Sequence, residues 1–247
     1  MARRLAYALI GYRDDHKVQS VQFHQSYSYE DFVQGYRPNG SQGFERKNGS
    51  FYEFCNRAIN DPDGTYVFII DEINRGNLSK IFGELMLLVE PDKRDVKWAT
   101  KLAYATEQEP NFYVPANVYI LGMMNTADRS LSLVDYALRR RFAFVAMEPL
   151  YGAPKYRSHL QRYGLPEDMI NKITNGMGEL NQDIESDRVN LGPGFRIGHS
   201  FFTPTTTVVD PELWFRRVVE TEIYPLLEEY WFDAPENADQ WRDRLLG

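Results

Sequence analysis

The sequence predicts an α/β fold: a parallel sheet flanked by helices, followed by a smaller helical region. Four short apolar segments carry the first half of that reading. Val18–Phe23, Tyr66–Ile70, Val118–Met124 and Phe142–Val145 have the length and composition of buried strands, and stretches of helical spacing separate them. Strands that alternate with helices pair in parallel, because each crossover returns the chain to the same end of the sheet. The second half rests on residues 155–247, whose patterns are mostly helical, at Glu167–Ile184 and at Pro211–Glu229 before the aromatic pair Tyr230–Trp231. Pro149, Gly152 and Pro154 read as a linker, so the expected division is an α/β core over residues 1–148 and a small helical subdomain over 149–247.

Residues 2–10 read as the tail of an amphipathic helix with Leu5, Ala8 and Leu9 on its apolar face. The apolar patch breaks at Tyr12–Asp15 without a small-residue cleavage site, which argues against a signal peptide. After Asn77, an N-cap residue type, apolar side chains fall at Leu78, Ile81, Phe82, Leu85, Met86 and Val89, with Pro91 beyond; that spacing predicts one core-facing helix. Residues 94–117 interrupt the alternation. "VKWATKLAYA" and "NFYVPANV" flank the acidic turn "TEQEP" and read as a β-hairpin inserted before the third strand.

Composition bounds the function. The 247 residues are 43% hydrophobic and 14% aromatic, enough for a real core. A formal net charge of −7 argues against a generally basic nucleic-acid surface. The single cysteine, Cys55, forms neither an internal disulfide nor a thiolate cage, which suits a reducing cytoplasm. No apolar run approaches the ~20 residues of a membrane span, so no membrane partner is expected. His16, His24, His159 and His199 show no H-x-x-x-H spacing, and a zinc hydrolase is unsupported.

The chemistry concentrates where the second strand stops. "TYVFIIDEINR" runs apolar to Ile70 and then meets Asp71 and Glu72. Ligands of open α/β sheets sit at the carboxyl ends of the strands. Neighbouring side chains there point differently, so one acid can hold a water-rich Mg²⁺ in its outer shell while the other activates a water for attack on a phosphoryl group. A solvated strand end whose acids cap the next helix gives the same pattern. The third strand adds weight, because "VYILGMMNTADRS" ends at Asn125, whose amide can bond a phosphate oxygen or the attacking water without adding charge. Then "SLVDYALRRRF" places Arg139–Arg141 before the fourth segment, where arginine would stabilise charge on a transferring phosphoryl group. Solvated basic residues or ion pairs with acids such as Asp135 are the ordinary explanation for any one of the three.

These segments, with "VQFHQSYSYEDFVQGYRPNG" and "GFRIGHSFF", resemble the AAA+ motor subunit of McrB-type modified-cytosine restriction systems, from the first residues to about Phe202. "MNTADRS" resembles the signature of that GTP-hydrolysing branch, whereas "IIDEINR" and "ALRRRF" are shared with the MoxR and dynein-like branch. The resemblance implies an AAA+ P-loop NTPase-like core with a C-terminal helical lid, and GTP, alternatively ATP, as substrate with Mg²⁺. It implies Asp71 as the Walker B metal holder, Glu72 as the water activator and Asn125 as sensor 1. Asp128 and Arg129 fall in the signature, used around the nucleotide at subunit contacts. Arg140 and Arg141 fall in the arginine-finger region, acting in trans within a homo-oligomeric ring, a hexamer. Arg196 and His199 lie where a lid would reach back to the nucleotide, and His24 and Gln25 lie on the active-site side. The implied partner is a McrC-like nuclease subunit, with DNA engaged only through a separate N-terminal reader domain that this chain lacks.

One departure matters. No G-x-x-x-x-G-K-[ST] occurs in the 247 residues: "RPNGSQGFERKNGS" has no Gly-Lys-Ser/Thr, and "NLGPGFRIGHS" lacks the lysine. The chain therefore reads as a fragment without the first core strand and phosphate loop. It is expected to bind nucleotide weakly by itself, to be marginally stable or to associate, and neither to select methylated sites nor to cut them. A non-hydrolysing scaffold with the same fold, or an ATPase of the MoxR/dynein-like branch, are the alternatives.

Overall fold

A three-stranded parallel sheet organises the first half of the computed structural model, which describes residues 2–40, 43–125, 127 and 139–247. The strands are β1 (Val18–Gln22), β4 (Tyr66–Asp71) and β5 (Val118–Gly122), in the order β1-β4-β5. The register pairs Gln22 with Asp71 and Ile70 with Gly122, so all three carboxyl ends lie along one edge. β4 is central and buried from Tyr66 to Ile70, which is why it reads as an unbroken apolar run. Its last residue, Asp71, is exposed.

Each face of this sheet is covered by helix. On one side, α3 (Ser50–Ile59) buries Phe51, Phe54, Cys55 and Ala58 against Tyr66, Phe68 and Ile70. Phe23, Phe32 and Phe82 complete an aromatic core: Phe32 stacks on Phe51 at 4.7 Å, and Phe51 meets Phe68 edge-on at 5.0 Å. On the other side, α1 (Ala2–Ile10) sets Ala2 and Ala6 against Val18, Val67 and Ile69. This corrects the expected face of α1, since Leu5 and Leu9 are exposed and the small alanines, not the leucines, let the helix approach the sheet.

The other elements of this unit depart from the sequence reading in three places. The single helix expected after Asn77 is two, α4 (Leu78–Phe82) and α5 (Leu85–Leu88), because Gly83 adopts φ 50° and ψ −127° between them. A Cβ at Gly83 would lie 3.0 Å from the Tyr29 ring, and Tyr29 donates its hydroxyl to Glu84 Oε1 at 2.5 Å, so the break is held by α2 (Tyr29–Phe32). The inserted hairpin over 94–117 is a long loop closed by one antiparallel bridge, Thr100 to Phe112. A regular hairpin lies earlier, as β2 (Gln34–Pro38) and β3 (Phe44–Asn48); Arg46 of β3 ties it to Glu109 of the long loop, and Tyr104 Oη of that loop donates to Glu30 of α2 at 2.8 Å. Phe142–Val145, expected as a fourth strand, is not one. Phe142 packs on the core while Phe144 and Val145 are exposed, and no strand pairs with them among the described residues.

The compact units divide between Phe144 and Val145. The second is helical: α6 (Pro154–Arg162), α7 (Glu167–Ser186), α8 (Pro211–Val218), α9 (Tyr224–Tyr230) and α10 (Pro235–Leu246). α7 is its axis, burying Met169, Ile170, Ile173, Met177, Leu180 and Ile184. The expected helix over 211–229 is interrupted by a π turn, Val219–Ile223, just before Pro225, which cannot donate the backbone bond an α-helix needs there. Two indoles end on α7 carboxylates or their neighbour: Trp241 Nε1 donates to Asp183 at 2.7 Å and Trp231 Nε1 to Asp187 at 3.3 Å. Among the described residues no helix is long and apolar enough to cross a membrane.

Candidate active site

The turn after β4 begins on a left-handed residue. Glu72 sits at φ 50°, ψ 45°, the one non-glycine residue with positive φ among the described residues. A left-handed residue of this kind costs roughly 1–2 kcal/mol. The following turn, Ile73–Arg75, also holds two buried side-chain oxygens without a hydrogen bond at its start and centre, Glu72 Oε2 and Asn74 Oδ1. For Asn74 Oδ1, which has no charged partner to offset it, this costs about 1–3 kcal/mol. Strain and unsatisfied polarity gathered in one turn at a strand's carboxyl end point to function rather than stability.

The turn is nonetheless rigidly placed. Met123 N donates to Ile70 O at 2.8 Å and Ile73 N to Met123 O at 2.9 Å, which stitches it to the end of β5. Ile73 is buried over Gly122, where a Cβ would meet Ile73 Cδ1 at 2.8 Å and would have to displace that side-chain tip. Asp71 Oδ1 accepts from Glu72 N at 3.0 Å. Its carboxylate is thus turned along the edge of the sheet, beside Glu72. The Glu72 carboxylate approaches Arg75, Oε2 lying 3.2 Å from Nε without an aligned N–H.

Asn125 stands two residues past Met123, on the same edge. Its Oδ1 accepts from Ala127 N at 3.0 Å, so the amide NH₂ is the part that can donate to a ligand. His24 and Gln25 follow β1 on that edge and are exposed; His24 lies edge-on to Tyr27 at 5.6 Å. Two of the three expected arginines differ sharply. Arg141, only 17% exposed, pairs with Glu90 at 2.7 Å and donates to Met86 O, within its own unit. Arg140 is exposed.

Residues 1–142 match the AAA domain (dynein-related subfamily), and residues 172–239 match the McrB alpha-helical lid domain. The chain belongs to the AAA family and is McrB-type. It is 53% identical, over 250 residues and its whole length, to the type IV methyl-directed restriction enzyme EcoKMcrB subunit of Escherichia coli (strain K12), of which it spans 54%. It is 23% identical over 260 residues to the type II restriction enzyme BsuMI component YdiS of Bacillus subtilis (strain 168), covering 85% of this chain and 68% of that protein.

In this McrB-type chain strand pairing and the two Met123 backbone bonds set the end of β5 beside the Asp71–Glu72 turn, and Asn125 follows two residues later. Asp128 and Arg129 lie outside the described residues. Arg196 and His199 belong to the second unit, where they hold the segment entering it. Arg196 pairs with Glu148 at 3.1 Å and with Glu185 at 3.6 Å, and His199 Nδ1 accepts from Leu150 N at 3.2 Å. Arg75 was not singled out by sequence reasoning. Its signal was present, since a residue three positions on is the natural ion-pair neighbour of Glu72 within one helical turn.

Proposed function

We propose that the chain is the nucleotide-hydrolysing motor module of a restriction complex. The observation that carries this reading is the strained Glu72 turn beside Asp71 and Asn125 at the carboxyl edge of a parallel sheet. Glu72 takes the proton of a water as that water's oxygen bonds the γ-phosphorus, and the β–γ bridging oxygen leaves with the nucleoside diphosphate. Asn125 donates its NH₂ to the γ-phosphate or to the water. Asp71 orders a metal ion's water shell. A Mg²⁺ there would be held by Asp71 through its waters, with the nucleotide's phosphates as further ligands. When bound, such an ion offsets charge on the transferring phosphoryl group.

GTP is the proposed nucleotide, on the resemblance of "MNTADRS" to the GTP-hydrolysing branch. The proposed assembly is a cytoplasmic homo-oligomeric ring in which Arg140 acts on a neighbour's nucleotide; Arg141, paired with Glu90, supports that segment from its own subunit. A separate McrC-like nuclease subunit is the proposed partner, and residues 149–247 the lid. Because no Gly-Lys-Ser/Thr loop occurs in the sequence, the 247-residue chain by itself should bind nucleotide weakly. Turnover of GTP and of ATP by the full-length protein carrying this chain tests the reading. Glu72→Gln should lower kcat about 10²–10⁴-fold; turnover left intact by that change would overturn it.

A further inference from the structure

We propose that Arg75 is a positioning residue that sets the rotamer of Glu72, an inference that rests on the reading of Glu72 as the water activator. The backbone of Glu72 is fixed by its neighbours. Ile73 is buried over Gly122 and bonded to Met123 O, and Arg75 N donates to Glu72 O at 2.9 Å to close the turn. That leaves the side-chain torsions of Glu72 as its remaining freedom, and a glutamate is among the side chains with most freedom to lose. The Arg75 guanidinium restrains them. Its Nε lies 3.2 Å from Oε2, the buried oxygen that has no hydrogen bond.

The two carboxylate oxygens therefore divide their work. Oε2 is buried and faces a positive charge, which leaves Oε1 as the oxygen to take the proton. The ion pair is only partly buried, with side-chain exposures of 23% for Glu72 and 44% for Arg75, so it adds little to folding and its value lies in orientation.

The test is steady-state nucleotide turnover by the full-length protein carrying Arg75→Ala, Arg75→Lys, Glu72→Gln and the Arg75→Ala/Glu72→Gln pair, each with its thermal midpoint. Arg75→Ala should lower kcat roughly 10–100-fold with KM and midpoint unchanged, the scale of a misplaced catalytic group. Arg75→Lys, which keeps the charge, should recover part of that loss. In the Glu72→Gln background Arg75→Ala should cost nothing further, which a merely structural role would not produce. With Glu72→Gln slowed as expected but still measurable, an Arg75→Ala protein whose kcat is unchanged or raised, or whose loss multiplies that of Glu72→Gln, overturns this inference alone. An active Glu72→Gln protein overturns the reading of Glu72, and this inference with it.

Discussion

The two compact units differ in how they use charge and in what they bury. Residues 1–144 carry eighteen basic and eighteen acidic residues; residues 145–247 carry ten and seventeen, so the whole net charge of −7 resides in the second unit. The first unit surrounds a sheet with phenylalanines and pairs its charges at a site and across its insertions. The second packs helices around α7 and sends surplus carboxylates outward, enlisting a few to receive the indole N–H groups of Trp231 and Trp241. Strain follows the same division. The single left-handed non-glycine residue and both buried oxygens without a hydrogen bond, among the described residues, lie in the first unit. One unit holds a site whose geometry costs stability; the other is packed helix by helix with no comparable cost.

The sharpest way to break this comparison is to damage one core and watch the other. Phe32 and Phe202 are both fully buried, each in its own cluster. Phe32→Ala should cost the first unit about 3–5 kcal/mol and leave the second transition in place, and Phe202→Ala should do the reverse. Calorimetry with hydrogen exchange assigned to each unit checks this; a shared drop would mean that the units fold as one.

Next in size is Gly83. Its backbone conformation and the Tyr29 ring both oppose a side chain, so Gly83→Ala should destabilise the first unit by roughly 1–3 kcal/mol. Denaturant midpoints read the effect. A neutral result would show that α4 and α5 can merge into the one helix that the apolar spacing suggests.

A smaller effect is expected from pH. Arg46 beside Glu109 holds that carboxyl down to about 2, against an ordinary value of 4.5. A lowered acid contributes fully above its ordinary value and loses that contribution as pH falls from about 4.5 through about 2. Hydrogen exchange at residues 100–112 should therefore quicken over that window, and Arg46→Ala should flatten the response.

The smallest expected effect is of salt. Self-repulsion among seventeen acidic and ten basic residues should make the second unit gain stability between low and moderate ionic strength, while the balanced first unit responds little. Thermal midpoints followed by unit-specific probes decide it.

Much of the site was legible before the structure. β4, buried on both faces, must be apolar at every position until it reaches solvent, so its end and the acids after it stand out in the sequence. Asn125 is found the same way from β5. The features that escaped all depend on a distant partner. Gly83 breaks a helix because Tyr29, far away in sequence, packs against it and bonds Glu84. Phe142–Val145 has the composition of a strand but, among the described residues, no strand beside it. β3 is mostly exposed and β2 buries only Gln34 and Gly35, so they show no apolar alternation to read.

What the sequence by itself determined is the three strands of the parallel sheet, the helical character of the second unit and the identity of the acids at the sheet's edge, because these follow from local hydrophobic period and from where an apolar run must stop. The tertiary structure alone decided that the end of β5 is bonded to the Asp71–Glu72 turn, that Glu72 is held left-handed with one oxygen toward Arg75, and that Arg141 is engaged by Glu90. Register and side-chain pairing are set by contacts between segments, and no single segment encodes them.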